Sequence, residues 1–314
     1  MTNRISHVLV TGGAGFIGSH IAEGLLDRYD VGVVDNFVTG SSNNVKHIRE
    51  KIRFFKADIL DYQGIRKIVK EYDAVLHEAA LASVTRSVKD PLFVNRTNVE
   101  GTLNLLKAAV DSGVERFIYA SSSSVYGEVQ QLPKREDMKP SPVSPYAVSK
   151  LCAENYCVAF YKVYGLKTVS LRYFNVYGPR QRGGVYSGVI SKFITSLLRS
   201  RKPIIYGDGN QTRDFTYVND VVKANLKCLK VSLKGGEVFN IATGKPTTIT
   251  KLLSIISNSL GRKDVKPVFL PPRPGDVYAS YADISKAKAE LGFEPEYTLE
   301  EGIKEVVKWY RSQI

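Results

Sequence analysis

Cysteine, histidine, methionine and tryptophan are scarce in this sequence: three Cys, four His, two Met and one Trp in 314 residues. The cysteines (Cys152, Cys157, Cys228) are odd in number and form no Cys-x-x-Cys pair. That argues against a disulfide scaffold and fits a reducing, cytoplasmic compartment. His7, His20, His47 and His77 are dispersed, so no His/Cys metal site is expected. No apolar run approaches the ~20 residues of a membrane span. The first apolar stretch opens at His7 and runs into glycines, unlike a secretory leader. No low-complexity segment or repeat is present.

What remains is ordinary globular usage, 43 % hydrophobic and 24 % charged, in a chain long enough for a sizeable core. The 44 basic and 31 acidic residues leave a formal charge of +13. Such a charge invites a nucleic-acid reading, but no binding motif accompanies it and no nucleic-acid partner is expected. The densest basic stretch, Lys223, Lys227, Lys230 and Lys234, is spaced like one exposed helix face.

Short β-branched runs alternate with helical patterns through the first half. Strands are expected at His7–Thr11, Val31–Asp35, Ile52–Lys56, Ala74–His77, Arg116–Ser121 and Thr168–Tyr173. Helices are expected at Ile17–Arg28, Tyr62–Glu71, Val94–Ser112 and Tyr146–Tyr164. This alternation implies an α/β fold, a doubly wound parallel sheet covered on both faces. The rhythm loosens after Asn175. Helices are expected at Val189–Arg199, from Thr248 to Leu260, at Ser285–Leu291 and at Leu299–Tyr310. Strands are expected at Pro203–Tyr206 and Val238–Ile241, and a loop at Pro267–Pro274.

The segment after the first strand reads Thr11-Gly12-Gly13-Ala14-Gly15-Phe16-Ile17-Gly18. It fits Gly-x-x-Gly-x-x-Gly (Gly12, Gly15, Gly18) and also Gly-x-Gly-x-x-Gly from Gly13, so spacing leaves the subtype open. Either way, a tight turn without side chains aims a helix N-terminus at a pyrophosphate. Asp35, ending the second strand, suits the adenosine ribose hydroxyls and disfavours a 2′-phosphate. No Arg directly follows it, so NAD is expected over NADP. Asp58 and Ile59, after the third strand, are placed to contact adenine.

Tyr146 and Lys150 stand one helical turn apart. A neighbouring ammonium favours phenolate and is expected to lower the tyrosine pKa, suiting it to general-base work. With 18 Tyr in a lysine-rich chain, this spacing means little alone. Its context gives it weight: Ser121-Ser122-Ser123-Ser124-Val125-Tyr126-Gly127 ends a strand just upstream, where such sheets bind ligands.

Together these motifs resemble the extended short-chain dehydrogenase/reductase family, and within it the UDP-sugar 4-epimerases. The resemblance spans essentially the whole chain. It adds His77-Glu78-Ala79-Ala80, Arg172-Tyr173-Phe174-Asn175, Arg213-Asp214-Phe215 and Arg273-Pro274-Gly275-Asp276. It implies a Rossmann-like sheet (residues 1–175 plus about 213–243) for NAD, and a smaller interleaved α+β substrate domain (176–212 and 244–314). Catalytic roles pass to Ser122, Tyr146 and Lys150. Cofactor contacts pass to Gly12, Gly15, Phe16, Ile17, Gly18, Asp35, Asn36, Asp58, Ile59, Ala79, Ala80, Asn98 and Tyr173, besides Tyr146 and Lys150. Related dehydratases carry an Asp-Glu pair after the catalytic hydroxyl, and decarboxylases a Glu before Val-Tyr-Gly. Here Ser123 and Ser124 stand there, so the acid for elimination is missing and epimerisation is implied.

The resemblance also implies how a UDP-sugar is held. Arg213 and Arg273 match diphosphate ligands, Asn175 a polar contact, Tyr206 an aromatic against uracil and Asp276 a ribose partner. Ser83, Ser122, Ser123, Ser124, Gln181 and Val189 complete the substrate set. Ser280 falls at a gatekeeper position where a small residue admits an N-acetyl group. The expected reaction is reversible C4 epimerisation of a UDP-hexose through a 4-keto sugar on tightly held NAD, taking UDP-GlcNAc/UDP-GalNAc as well as UDP-Glc/UDP-Gal. The alternatives are a UDP-glucuronate 4-epimerase or another UDP-sugar enzyme, and a non-enzymatic NAD-binding regulator. A homodimer through the helices at Val94–Ser112 and Tyr146–Tyr164 is implied.

Overall fold

The computed structural model describes residues 5–127, 129–181, 188–262, 265–272 and 277–313. Strands and helices alternate first as β1 (His7–Thr11), α1 (Phe16–Leu25), β2 (Asp30–Asp35), β3 (Ile52–Lys56), α2 (Tyr62–Val69) and β4 (Ala74–His77). Next come α3 (Val84–Lys89), α4 (Pro91–Asn95), α5 (Gly101–Ser112), β5 (Arg116–Ser122), α6 (Pro145–Tyr164) and β6 (Lys167–Tyr173). The remainder is α7 (Val189–Leu198), β7 (Ile204–Tyr206), β8 (Thr212–Asp214), α8 (Val218–Lys230), β9 (Glu237–Ile241), β10 (Pro246–Thr248), α9 (Ile249–Ser259), β11 (Val268–Leu270), β12 (Ala279–Ser280), α10 (Ser285–Leu291) and α11 (Leu299–Arg311).

Seven parallel strands form the main sheet in the order β3-β2-β1-β4-β5-β6-β9. Its central strands are apolar on both sides because helices cover both faces. In β1, Val8 and Val10 join a core with Ile21 and Leu25 of α1 and Val221 of α8. Leu9 points the other way, into a core with Leu105, Phe117 and Phe160. The period of two thus assigns each side chain to one face. The order reverses between β1 and β4, which opens a crevice at the C-terminal strand ends.

The helix carrying Tyr146 and Lys150 is well delimited by its sequence. The Ser144 side chain accepts the Ala147 amide at 3.1 Å, Pro145 occupies the first turn, and left-handed Gly165 (φ 73°) ends it. After β6, α7, α9 and α11 share a third core of Ile194, Leu252, Ile256, Ile303 and Val306. Two small sheets, β10-β8-β12 and β11-β7, flank the cleft. Fully buried Asp214 joins three segments there. One carboxylate oxygen accepts the Thr243 amide (2.9 Å) and hydroxyl (2.6 Å), and the other accepts the amides of Gly244 (2.9 Å) and Ala282 (3.3 Å).

Several elements depart from expectation. The Val94–Ser112 helix starts earlier and is interrupted: Asp90 caps α4 at Pro91, and a π turn over Arg96–Glu100 precedes α5. The first helix ends at Leu25, short of Arg28. Within the expected loop Pro267–Pro274, Val268–Leu270 pairs in parallel with β7, a strand too short to show periodicity; its last two residues lie outside those described. The basic face ends with α8 at Lys230. Lys234 lies in the following turn, where its amide meets Glu237 at 2.8 Å.

Candidate active site

The glycine segment makes a cradle that any side chain would fill. Gly12 has φ +66°, and a Cβ on it would sit 2.6 Å from the Ala79 nitrogen. A Cβ on Gly18 would sit 2.3 Å from the Gly12 oxygen, and one on Gly15 2.9 Å from the same atom. Gly15 begins α1 without a capping side chain, which leaves the first amides, at Phe16 and Ile17, to the crevice. Buried Asp35 ends β2; its oxygens accept the amides of Ala14 (3.0 Å) and Phe37 (2.7 Å). Burial raises its pKa, and each oxygen keeps a lone pair for a ribose hydroxyl. Asn36 donates to Asp58 at 3.0 Å, tying two expected contacts together. These residues fit a dinucleotide.

Other expected cofactor residues sit behind this surface. The Ile59 side chain lies in the core against Gly101. Asn98, in the π turn, accepts the Leu81 amide at 2.8 Å and donates to Ser149 at 3.0 Å, so it shapes the loop after Ala79 and Ala80. His77 is wedged between Thr11 (2.7 Å) and Thr102 (2.8 Å) and is held neutral, its pKa pushed down to about 3 by burial and by Lys150.

Ser122, Tyr146 and Lys150 meet at the end of β5. Ser122 Oγ accepts the Ser124 amide (3.2 Å) and hydroxyl (2.9 Å). With both lone pairs occupied, its proton is directed to the Tyr146 oxygen, a bond that favours phenolate. The expected effect of Lys150 on Tyr146 is corrected by the structure. Lys150 Nζ donates to the Ala120 carbonyl at 2.8 Å and lies 5.0 Å over the Tyr119 ring. Burial dominates Tyr146 and raises its pKa, with the Ser122 bond opposing. Burial likewise pushes Lys150 down to about 8.

The motifs named some groups without giving them roles. Glu78 accepts the Tyr173 hydroxyl at 2.9 Å, and burial pushes its pKa up to about 7. As an acid directly following an apolar strand, it carried a readable signal. Beneath Ser122, Arg172 meets Glu154 through two bonds (3.0 and 2.6 Å), and Ser121 donates to the same carboxylate at 2.6 Å. Arg172 also lies 4.7 Å from the Tyr126 ring.

A cleft of about 890 Å³ joins these groups to α7, β7 and β8. Ser122, Ser123, Ser124, Tyr146, Tyr173, Asn175, Gln181, Val189, Tyr206, Arg213 and Ser280 all line it, with Phe16 and Ile17. Ser280 is paired in register with Arg213. Asn175 donates to the Asp214 carbonyl at 2.9 Å, and Gln181 to the Val176 carbonyl at 3.1 Å. Ser83 stands between two lining residues, Ala82 and Val84, and its hydroxyl caps α3, accepting the Arg86 amide at 3.1 Å. Arg273 and Asp276 lie outside the described residues. Among the described residues, no helix is long and apolar enough to cross a membrane.

A glycine-lined crossing beside a Ser–Tyr–Lys cluster defines a short-chain dehydrogenase/reductase. The chain belongs to that group's GDP-mannose 4,6 dehydratase family, whose profile matches residues 9–306. A UDP-N-acetylglucosamine 4-epimerase from Methanobrevibacter ruminantium, solved with UDP-N-acetylmuramic acid, is 42 % identical with a TM-score of 0.94, over 99 % of this chain and 100 % of its own. A UDP-glucose 4-epimerase from Thermotoga maritima, solved with UDP-glucose, is 42 % identical with a TM-score of 0.93, over 98 % and 99 % of the two chains. The UDP-glucose 4-epimerase of Thermus thermophilus, solved with NAD, is 39 % identical with a TM-score of 0.89, over 98 % and 100 %.

Proposed function

We propose that this enzyme, an NAD-dependent UDP-sugar 4-epimerase, acts on N-acetylated UDP-hexoses as well as on UDP-Glc and UDP-Gal. The observation that carries the reading is the convergence of Ser122, Tyr146 and the first turn of α1 on one cleft whose far wall bears a small residue, Ser280. NAD, which the glycine cradle and Asp35 would hold, would supply the acceptor and donor of a hydride at the sugar's C4 and, when oxidised, a positive charge. Tyr146 removes the O4 proton and later restores it, and the Ser122 hydroxyl, donating to the Tyr146 oxygen, stabilises its phenolate form. Lys150 keeps a cation beneath the pair. Inversion requires the keto sugar to present its other face, so the nucleotide must be gripped and the ring left loose. Arg213 is our candidate for the diphosphate grip, with Arg273 as its partner from the sequence.

Incubation with UDP-Glc, UDP-GlcNAc and UDP-GlcA, with products resolved by chromatography, tests this. Turnover of the acetylated pair at least comparable to the plain pair is expected, and Ser280→Tyr should suppress the acetylated pair selectively. Undetectable turnover of UDP-GlcNAc overturns the acetyl reading, and turnover of UDP-GlcA alone moves the substrate to a uronate. We also propose a two-fold homodimer. Exposed Leu92, Val148 and Val163 on α4 and α6, 83 %, 51 % and 71 % accessible, are apolar groups such an interface would cover.

A further inference from the structure

Glu78 is unused by the mechanism above, yet four elements converge on it. It directly follows β4, Lys150 comes from α6, Tyr173 ends β6 and Asn225 comes from α8. The Tyr173 hydroxyl donates to Glu78 Oε1 at 2.9 Å, and Asn225 Nδ2 donates to the Tyr173 oxygen at 2.8 Å. Asn225 is itself anchored to the Val221 carbonyl at 2.9 Å. The Tyr173 proton therefore has a single direction, and the carboxylate is fixed from outside the catalytic helix.

We infer that Glu78 is a positioning residue for the epimerase reaction: its carboxylate, strapped by Tyr173 and Asn225, keeps the buried Lys150 ammonium charged beneath Tyr146. The inference rests on the epimerase reading. Lys150 is 4 % exposed, and of its three N–H groups one is used at Ala120. An ammonium so enclosed loses hydration and drifts toward the neutral amine unless a nearby anion offsets the loss. The titratable neighbours supply no such anion. His77 on β4, Tyr119 on β5, Tyr146 and Cys157 on α6, and Tyr173 on β6 are all displaced toward their uncharged forms by burial. Burial also raises Glu78, to about 7, and lowers Lys150, to about 8, but these two oppose each other's shift: the carboxylate raises the lysine and the ammonium lowers the carboxyl.

Glu78→Gln separates charge from shape, because the amide oxygen still accepts the Tyr173 bond. The test is the pH dependence of kcat for the holoenzyme and this variant. The alkaline limb should move at least one pH unit lower in Glu78→Gln, with KM for the UDP-sugar unchanged within twofold. Glu78→Asp, which retains the charge, should return the limb toward wild type. Superimposable limbs for wild type and Glu78→Gln overturn the inference. Should Glu78→Gln not fold, wild-type holoenzyme labelled with nitrogen-15 lysine serves instead. The Lys150 Nζ signal should respond as Glu78 ionises, and a single transition insensitive to that range overturns the assignment. A wild type that turns over no UDP-sugar refutes the epimerase reading itself and leaves this titration to decide Glu78 separately.

Discussion

Arg172→Met should destabilise the protein by about 3–5 kcal/mol, the range for breaking one side of a buried ion pair. Arg172 and Glu154 are each 4 % exposed, so water cannot replace the lost partner. Without Arg172, Glu154 keeps only the Ser121 hydroxyl on one oxygen and nothing shown on the other. At about 2.1 cal/mol/K per residue, the 314 residues have an unfolding entropy near ~0.66 kcal/mol/K, so the melting point should fall by roughly 5–8 °C. The double variant Arg172→Met/Glu154→Leu should recover to within about 1 kcal/mol of wild type, since removing both charges removes the desolvation penalty. Urea melts at one fixed, saturating NAD concentration make the comparison, because bound cofactor adds its own stabilisation. If both single variants lie within 1 kcal/mol of wild type, or the double loses the sum of the singles, the coupling is absent and the reasoning fails.

Tyr146→Phe should lower kcat by about 10²–10⁴-fold while purified protein still carries NAD, and activity within tenfold of wild type would refute the assigned base. Gly18→Ala places a methyl 2.3 Å from backbone oxygen, so the purified variant should release no nucleotide on denaturation; full occupancy would contradict the cradle. His77 is neutral when folded, its pKa about 3 against 6.5 unfolded. Above pH 6.5 both states are neutral there. Below it the unfolded chain binds a proton that the folded chain refuses, so stability should fall by about 1.4 kcal/mol per pH unit from this group. Subtracting His77→Gln melts isolates that slope from Asp214 and Asp220, whose raised pKa values act with the opposite sign. A difference that stays flat down to pH 5 would contradict the burial argument.

The parallel sheet was legible because its signals repeat: buried β-branched runs, helical periodicity, and glycines at the first turn. The clustering of Ser122 with Tyr146 was legible through spacing and context together. Other features were not, each for a physical reason. β8, β10, β11 and β12 have three residues or fewer and are made by pairing rather than by local pattern. The direction of the Tyr146 shift depends on burial, which no spacing reveals. The helix cap made by the Ser83 hydroxyl was not readable from the motif that named it. Glu78 stood in a quoted motif without a partner until β6 and α8 were seen to deliver Tyr173 and Asn225.

The four bonds to Asp214 have a consequence for how sugar preference could change. Ser280 and Arg213 are 67 positions apart in sequence, yet the backbone pairing and Asp214 tie their segments into one hydrogen-bonded plate. The wall proposed to measure the sugar and the arm proposed to grip the diphosphate therefore share one backbone-paired frame. A bulkier gatekeeper cannot retreat without dragging that arm, so altered selectivity should arrive together with altered nucleotide affinity.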